Sequence, residues 1–371
     1  MTGDNLYFTP PKGASPEYPV TPIEPGQWRD GIIVRSPNWL GDAAMALPAM
    51  CCLKEMLPDY CGFFVAAPDN LIPFYEAIPW VDLVVPLGSG HSSWNPQAVW
   101  RVARITPGVG FLFVNSFRSA WYFRRARVRK LYGAANGLRN LLLTRSFPVK
   151  WHEREGYAKG HQAYSYVAMA KALGAKDWDG RFPEFRIDGE LECTPPELTE
   201  FLTAGKLLAV APGAAYGPSK RWPAERFNAV CRWWVEERGG NVLSLGAGKE
   251  REAAEAAVSG LPPDRARCLA GKTSLASLMR VLAAAERCVA NDSGVMHLAA
   301  ALGKTGVAVF GSTDPFATGP LGGRWAVLLE RQSCAPCFSR ECRREAPGYQ
   351  CLAAVSPEMV VKTLERTLAA P

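Results

Sequence analysis

Between Asp82 and Glu153 the chain has no aspartate or glutamate, although it carries eleven lysines and arginines there, from Arg101 to Lys150. The formal charge of the whole is only +7, so the remainder is net acidic. Such segregation creates a local positive field and calls for a polyanionic partner: nucleic acid, anionic lipid or a phosphorylated saccharide. Long apolar runs are also missing. None reaches the roughly 18 residues that a membrane span needs. The first residues, MTGDNLYFTPPKG, have neither the basic start nor the apolar stretch of a signal peptide, and a cytoplasmic protein is expected. Eleven cysteines, scattered through apparent strands and helices such as those holding Cys51, Cys52, Cys231 and Cys288, fit buried reduced thiols better than a disulfide framework. With 371 residues the chain is too long for one ordinary core and predicts two domains.

What is present is a repeated strand, polar turn and helix. Gly31–Arg35 reads as a buried strand feeding Ser36-Pro37-Asn38-Trp39-Leu40-Gly41-Asp42 and a helix from Ala43 to about Leu57. Asp42 lies at the carboxyl end of that strand, where open parallel sheets bind ligands. It is either an N-cap or a carboxylate suited to take a proton from a hydroxyl. Leu207–Val210 repeats the pattern, followed by the Gly213–Lys220 turn and a helix with Pro223 at its start. Asn241–Leu245 leads through a glycine turn to a helix carrying Glu250. Arg287–Ala290 leads into Asn291-Asp292-Ser293-Gly294 and a helix ended by Gly303. Unpaired N–H groups at that helix start suit a phosphate, with Ser293 and His297 as further donors; capping explains the same residue types.

Three other stretches carry chemistry. A proline-rich arm, 1–28, has no apolar period and is expected to be disordered or to lie across the surface. Asp177-Trp178-Asp179 matches a D-x-D cation pattern but sits off the end of any predicted strand, so two loop acids are expected. Cys334-x2-Cys337-x4-Cys342-x8-Cys351 offers four thiols at spacing that a structural metal can use, with reduced cysteines or a labile disulfide as alternatives. Within the basic stretch Trp121, Tyr122 and Phe123 interleave with the arginines, between Arg118 and Arg124, which suits stacking on bases or sugar rings. A nucleic-acid-binding protein is therefore one reading, but it leaves Asp42, Lys220 and the Asp292 turn without a role.

N-W-L-G-D with A-L-P-A-M behind it, N-S-F-R-S-A, P-G-A-x-Y-G-P-S-K-R-W-P, and N-D-S-G-V-M-H-L-A-A-A-L-G with F-G-S-T-D-P together resemble glycosyltransferase family nine. The resemblance runs from about Gly31 to the C-terminal helix. It implies an α/β fold of GT-B architecture, two Rossmann-like domains facing each other across a cleft. The expected division is an arm over 1–28, an acceptor-binding domain over 29–182, a linker over 183–205, a nucleotide-sugar-binding domain over 206–355 and a closing helix over 356–371. The implied donor is ADP-heptose. The implied acceptor is the phosphorylated inner core of lipopolysaccharide at the inner leaflet of the cytoplasmic membrane, which makes the protein cytoplasmic or peripheral. Inverting chemistry is implied, with no cofactor, no catalytic metal and no nucleic acid. By motif position Asp42 matches the family's catalytic base, and Lys220 serves both catalysis and the donor. Gly213, Ser219, Glu250, Asp292, Ser293, Gly294 and His297 are the other implied donor contacts. Asn115, Arg118, Arg124, Arg125 and Arg139 on the basic stretch are the expected acceptor contacts. A transferase of the same family with another nucleotide sugar or core acceptor is the alternative.

Overall fold

A computed structural model describes residues 6–10, 16–89, 96–148, 160–187, 196–203, 205–345 and 348–369. Lys150 and parts of the arm, of the linker and of the C-terminal stretch lie outside the described residues. The chain divides into two compact units, Lys12–Arg186 and Ile187–Pro371, the second including Met1–Pro11.

The first unit is built on six parallel strands: β1 (Gly31–Arg35), β2 (Gly62–Ala67), β3 (Leu83–Pro86), β4 (Val109–Leu112), β5 (Lys130–Ala134) and β6 (Arg145–Phe147). Their order is β3-β2-β1-β4-β5-β6. This is a doubly wound sheet whose direction of winding reverses between β1 and β4, and ligands bind outside the carboxyl ends at such a point. Ile32, Ile33 and Val34 are completely buried, as a β-branched run with helices on both faces requires. The helices are α1 (Leu40–Glu55), α2 (Ile72–Glu76), α3 (Pro96–Ile105), α4 (Phe117–Arg125) and α5 (Gln162–Lys171). Ile33, Val85 and Leu112 meet Val102, Ala120 and Phe123 in one core cluster.

The second unit repeats this plan. Its strands are β7 (Leu207–Ala211), β8 (Asn241–Ser244), β9 (Ala266–Cys268), β10 (Arg287–Asn291), β11 (Thr305–Val309) and β12 (Arg324–Leu328), ordered β12-β11-β10-β7-β8-β9 and parallel throughout. Helices α6 (Pro196–Thr203), α7 (Ala224–Glu236), α8 (Arg251–Ala256), α9 (Leu275–Ala284), α10 (Gly294–Ala301), α11 (Pro315–Thr318), α12 (Gln350–Ala353) and α13 (Pro357–Ala369) cover it. Trp222, Phe227 and Trp234 pack with Val289 and Val307. Val360 and Leu364 place α13 on the same core, so the closing helix is an integral layer of this unit.

Over its described residues the arm lies on the protein. Thr21 and Ile23 donate their N–H groups to the carbonyls of Ala172 and Leu173 (2.9 and 3.2 Å). Phe8 donates its N–H to the Trp325 carbonyl (2.6 Å) and sets its ring 6.0 Å from Phe316.

Candidate active site

In the first unit β1 delivers the chain into Ser36–Trp39 and then α1. The helix starts at Leu40, with Trp39 in the N-cap position and no side-chain cap bond. Asp42 therefore lies inside the first turn and is not the N-cap. A carboxylate there is favoured by the helix dipole, and this one is half-buried. Its Oδ1 accepts a hydrogen bond from Gln162 Nε2 (2.9 Å), which also reaches the Tyr166 hydroxyl (3.1 Å). Gln162 is the first residue of α5, whose N-cap is the fully buried His161, its Nδ1 accepting from the Ala163 N–H (3.2 Å). Sequence reasoning missed Gln162. It stands 120 residues from Asp42, and only the packing of α1 against α5 brings the two together.

The ground beneath Asp42 is apolar and charged at once. Arg35, 5% exposed, donates to the Ser36 carbonyl and to Asn38 Oδ1 (2.6 Å). Burial lowers its guanidinium pKa to about 10. Burial also pushes the Tyr75 and Tyr166 phenols well up, and the Asp42 carboxylate adds to that rise. Both tyrosines remain neutral hydroxyls at physiological pH.

The basic stretch splits into two kinds of cation. Arg118 and Arg125 are exposed on α4, and Asn115 is exposed just before it. Arg139 is 1% exposed. Its guanidinium donates to the carbonyls of Ala134 and Val114 (2.7 Å for the latter). Arg124 donates to the carbonyls of Leu142 (2.6 Å), Val128 (3.1 Å) and Arg129 (2.6 Å). Arg124 and Arg139, two of the expected acceptor contacts, thus direct their donors to backbone carbonyls. Arg139→Met leaves two buried carbonyls unpartnered and is expected to cost about 2–4 kcal/mol, lowering Tm by roughly 5–15 °C for a unit of this size. Arg118→Ala is expected to shift Tm by less than about 2 °C. Thermal melts followed by circular dichroism check both; an unchanged Tm for Arg139→Met would contradict the structural role.

In the second unit the turns after β7, β8 and β10 converge. Asn291 ties two of them: its Nδ2 donates to the Pro212 carbonyl (2.7 Å) and its Oδ1 accepts from the Trp222 N–H (3.0 Å). Between these points runs the Gly213–Lys220 turn. A side chain on Gly217 would place its Cβ 2.6 Å from the Arg340 carbonyl oxygen, so only glycine lets the turn close here. The Lys220 ammonium reaches Asp292 Oδ2 at 2.5 Å and lies 4.9 Å over the Tyr216 ring. Asp292 Oδ2 also accepts from the Thr313 hydroxyl (2.6 Å), and His297 Nε2 stands 3.9 Å from Oδ1. Ser293 then N-caps α10, its hydroxyl accepting from the Met296 N–H (3.5 Å), with Gly294 as the first helical residue. A cation is thus fixed at the start of a helix whose N-terminus itself attracts anions. Thr313 belongs to the F-G-S-T-D-P motif, but nothing in its spacing had shown that it would hold the Asp292 carboxylate.

Glu250 reaches the same place from β8. One oxygen accepts from the Ala247 N–H (2.7 Å), and a Cβ on Gly213 would lie 2.5 Å from its carboxyl carbon. Ser219, an expected donor contact, is bonded within the protein. Its hydroxyl donates to the Ser339 carbonyl and accepts from Ser312 (3.0 Å), and its N–H is bonded to the Arg340 carbonyl (3.2 Å). Cys334 and Cys337 are exposed, and Cys342 Sγ accepts from the Tyr349 N–H (3.3 Å). Among the described residues no group of three or more His, Cys, Asp or Glu side chains is placed to hold a metal ion, which leaves the four cysteines with the other readings, reduced thiols or a labile disulfide. Asp177 and Asp179 pair with Lys171 and Arg181 at 3.5 Å each, as ordinary loop acids.

The comparisons with known proteins agree with this plan. The lipooligosaccharide heptosyltransferase 2 of Haemophilus ducreyi is 28% identical over 352 residues, 91% of this chain and 99% of that protein. The lipopolysaccharide heptosyltransferase 1 of Pseudomonas aeruginosa is 30% identical over 68% of this chain and 72% of its own length. Among solved structures, the E. coli ADP-heptose lipopolysaccharide heptosyltransferase II superposes with a TM-score of 0.74 at 23% identity, covering 91% of this chain and 98% of that one. A glycosyltransferase family 9 structure from Veillonella parvula gives 0.75 at 21% identity, covering 96% and 99%. The fold is that of these GT-B proteins, two Rossmann-like domains. The profile of glycosyltransferase family 9 (heptosyltransferase) matches residues 109–347, and the chain belongs to that family of enzymes.

Proposed function

We propose that this glycosyltransferase moves a heptose from ADP-heptose to the phosphorylated inner core of lipopolysaccharide, with inversion at the anomeric carbon and without a divalent cation. The observation that carries the reading is the Lys220–Asp292 pair at the start of α10. It holds the Lys220 ammonium at the carboxyl edge of a doubly wound sheet, where nucleotides bind. A leaving diphosphate needs its growing negative charge neutralised, and Lys220 with the N–H groups of α10 supplies this in place of a metal. Gly213, Glu250, Gly294 and His297 complete the donor side. In the first unit Asp42 is the base: it accepts the proton of the attacking acceptor hydroxyl as the new glycosidic bond forms. The bond from the anomeric carbon to the diphosphate oxygen breaks in the same displacement, and ADP carries away the electron pair. Asn115, Arg118 and Arg125 meet the acceptor phosphates. Because such an acceptor is anchored in a leaflet, the protein is expected to work at the cytoplasmic face of the inner membrane.

Calorimetric titration of ADP, UDP, GDP and CMP in metal-free buffer tests the donor side. ADP is expected to bind at least about tenfold more tightly than the others. Preference for another nucleotide would discard the ADP-heptose assignment while leaving the fold intact. The similarity to a heptosyltransferase 1 favours a second reading, in which the donor is the same and the hydroxyl glycosylated is the one that protein uses. Paired acceptors with and without a first heptose separate the two.

A further inference from the structure

We propose that α4 and the 3-10 helix Gly137–Leu142 form a surface that docks the protein on an anionic lipid bilayer; the proposal rests on the reading above for its purpose, but not for its observations. Ten large hydrophobic side chains are exposed among the described residues, and four of them lie on these two short helices: Phe117 (49%), Trp121 (45%), Leu138 (74%) and Leu141 (83%). Their spacing aligns them. Phe117 and Trp121 are four apart on an α-helix, with rings stacked at 6.4 Å. Leu138 and Leu141 are three apart on a 3-10 helix, where such residues eclipse.

The two helices run side by side. Asn136 Nδ2 donates to the Asn115 carbonyl (2.9 Å) just before both begin. Arg124 Nε donates to the Leu142 carbonyl (2.6 Å) where both end. Arg139 points inward beneath the second helix and anchors it to Ala134 and Val114. The apolar stripe is consequently held on a rigid base and turned outward.

Its charge identifies the partner. Arg118 and Arg125 are exposed on the same side of α4, since residues 117, 118, 121 and 125 fall within about a third of a turn. No carboxylate occurs from residue 83 to residue 152, so nothing on this stretch opposes an anionic surface. Aromatic and leucine side chains beside arginines, without any acid, match the interfacial zone of a bilayer whose headgroups are negative. Among the described residues no helix is long and apolar enough to cross a membrane, and this surface requires none. The position is also apt. β4 lies beside β1 and β5 beside β4, and both helices leave from the carboxyl edge that carries Asp42, so an acceptor anchored in the bilayer is presented at that edge.

The test is sedimentation of the full chain with vesicles of phosphatidylethanolamine and phosphatidylglycerol, against vesicles of phosphatidylcholine alone. Binding is expected to the first and not the second, and to weaken as salt is raised. Trp121→Ser/Leu138→Ser/Leu141→Ser is expected to lower the partition coefficient at least about tenfold, while transfer to a delipidated, soluble acceptor continues at the parent rate. Leu138→Ser/Leu141→Ser, at the two most exposed positions, serves if the triple variant does not fold. Equal binding by parent and variants, no binding by the parent, or capture of a random oligonucleotide instead of vesicles overturns the docking surface. A parent protein that transfers heptose to the soluble acceptor but binds no vesicles refutes this surface alone; a parent that binds vesicles but transfers nothing refutes the catalytic reading alone.

Discussion

Asp42→Asn is expected to lower kcat by about 10²–10⁴, the range for losing a general base, while ADP affinity changes by less than about twofold. The substitution is nearly isosteric. It keeps an oxygen for Gln162 Nε2 at 2.9 Å and leaves α1 packed on α5. What it removes is the ability to accept a proton. A base must be deprotonated to act, so an acidic limb in the parent's rate profile should vanish in the variant. Tyr75 and Tyr166 do not supply the limb, because burial and the neighbouring carboxylate hold both phenols protonated. Gln162 acts through Asp42 by orienting its carboxylate. Steady-state kinetics with a soluble acceptor decide the matter. A variant with parental kcat and an unchanged pH profile would remove Asp42 from the chemistry.

Breaking the Lys220–Asp292 pair is expected to have two separable effects. The side chains are 13% and 4% exposed, so Asp292→Ala leaves an ammonium largely out of water with no carboxylate. Removing one partner of a buried pair typically costs about 3–5 kcal/mol, and here the Thr313 hydroxyl loses its acceptor as well. Lys220→Met removes the cation from the start of α10. It is expected to reduce kcat by about 10²–10³, as for other groups that stabilise developing negative charge. Lys220→Met/Asp292→Leu should then regain much of the stability lost in Asp292→Ala, because no charge is left buried, yet remain as inactive as Lys220→Met. Urea melts and single-turnover kinetics on the four proteins measure the two effects independently. A double variant as unstable as Asp292→Ala would show that the pair is not the source of the cost.

Most of the architecture was legible because it is locally encoded. The β-branched run Ile32–Val34, the small turns after β7 and β10 and the Ala-rich α10 each announce a buried parallel strand or a helix covering it. Residues 132–143 show no sustained period and read, from sequence, as a loop running into a short apolar segment. They hold the end of β5 and a 3-10 helix, short elements whose periodicity is too brief to register. The start of α1 was misplaced by three residues because Asp42 suits an N-cap, whereas the chain uses Trp39, which supplies no cap at all.

The site was legible at the level of motifs and less so at the level of atoms. Asp42, Lys220, Asp292, Ser293 and His297 stand on strand-to-helix turns or at the start of the helices that follow them, as their spacing had indicated. Charge counting, however, treats every arginine of the basic stretch alike. Arg124 and Arg139 differ from Arg118 and Arg125 in the carbonyls that take up their N–H groups, two of which, Leu142 and Val114, lie 18 and 25 residues away. Nor does the sequence show that the Ser219 hydroxyl fastens its turn to Ser339. The same limit hid Gln162, since a contact between helices 120 residues apart leaves no local trace.

The most direct measurement is mass-spectrometric and NMR analysis of the product formed from ADP-heptose and a soluble inner-core acceptor, with excess chelator present. The account predicts one added heptose per acceptor, an anomeric configuration opposite to that of the donor, and a rate unaffected by the chelator. Transfer with retained configuration, or transfer restored only by adding Mg²⁺ or Mn²⁺, would contradict it.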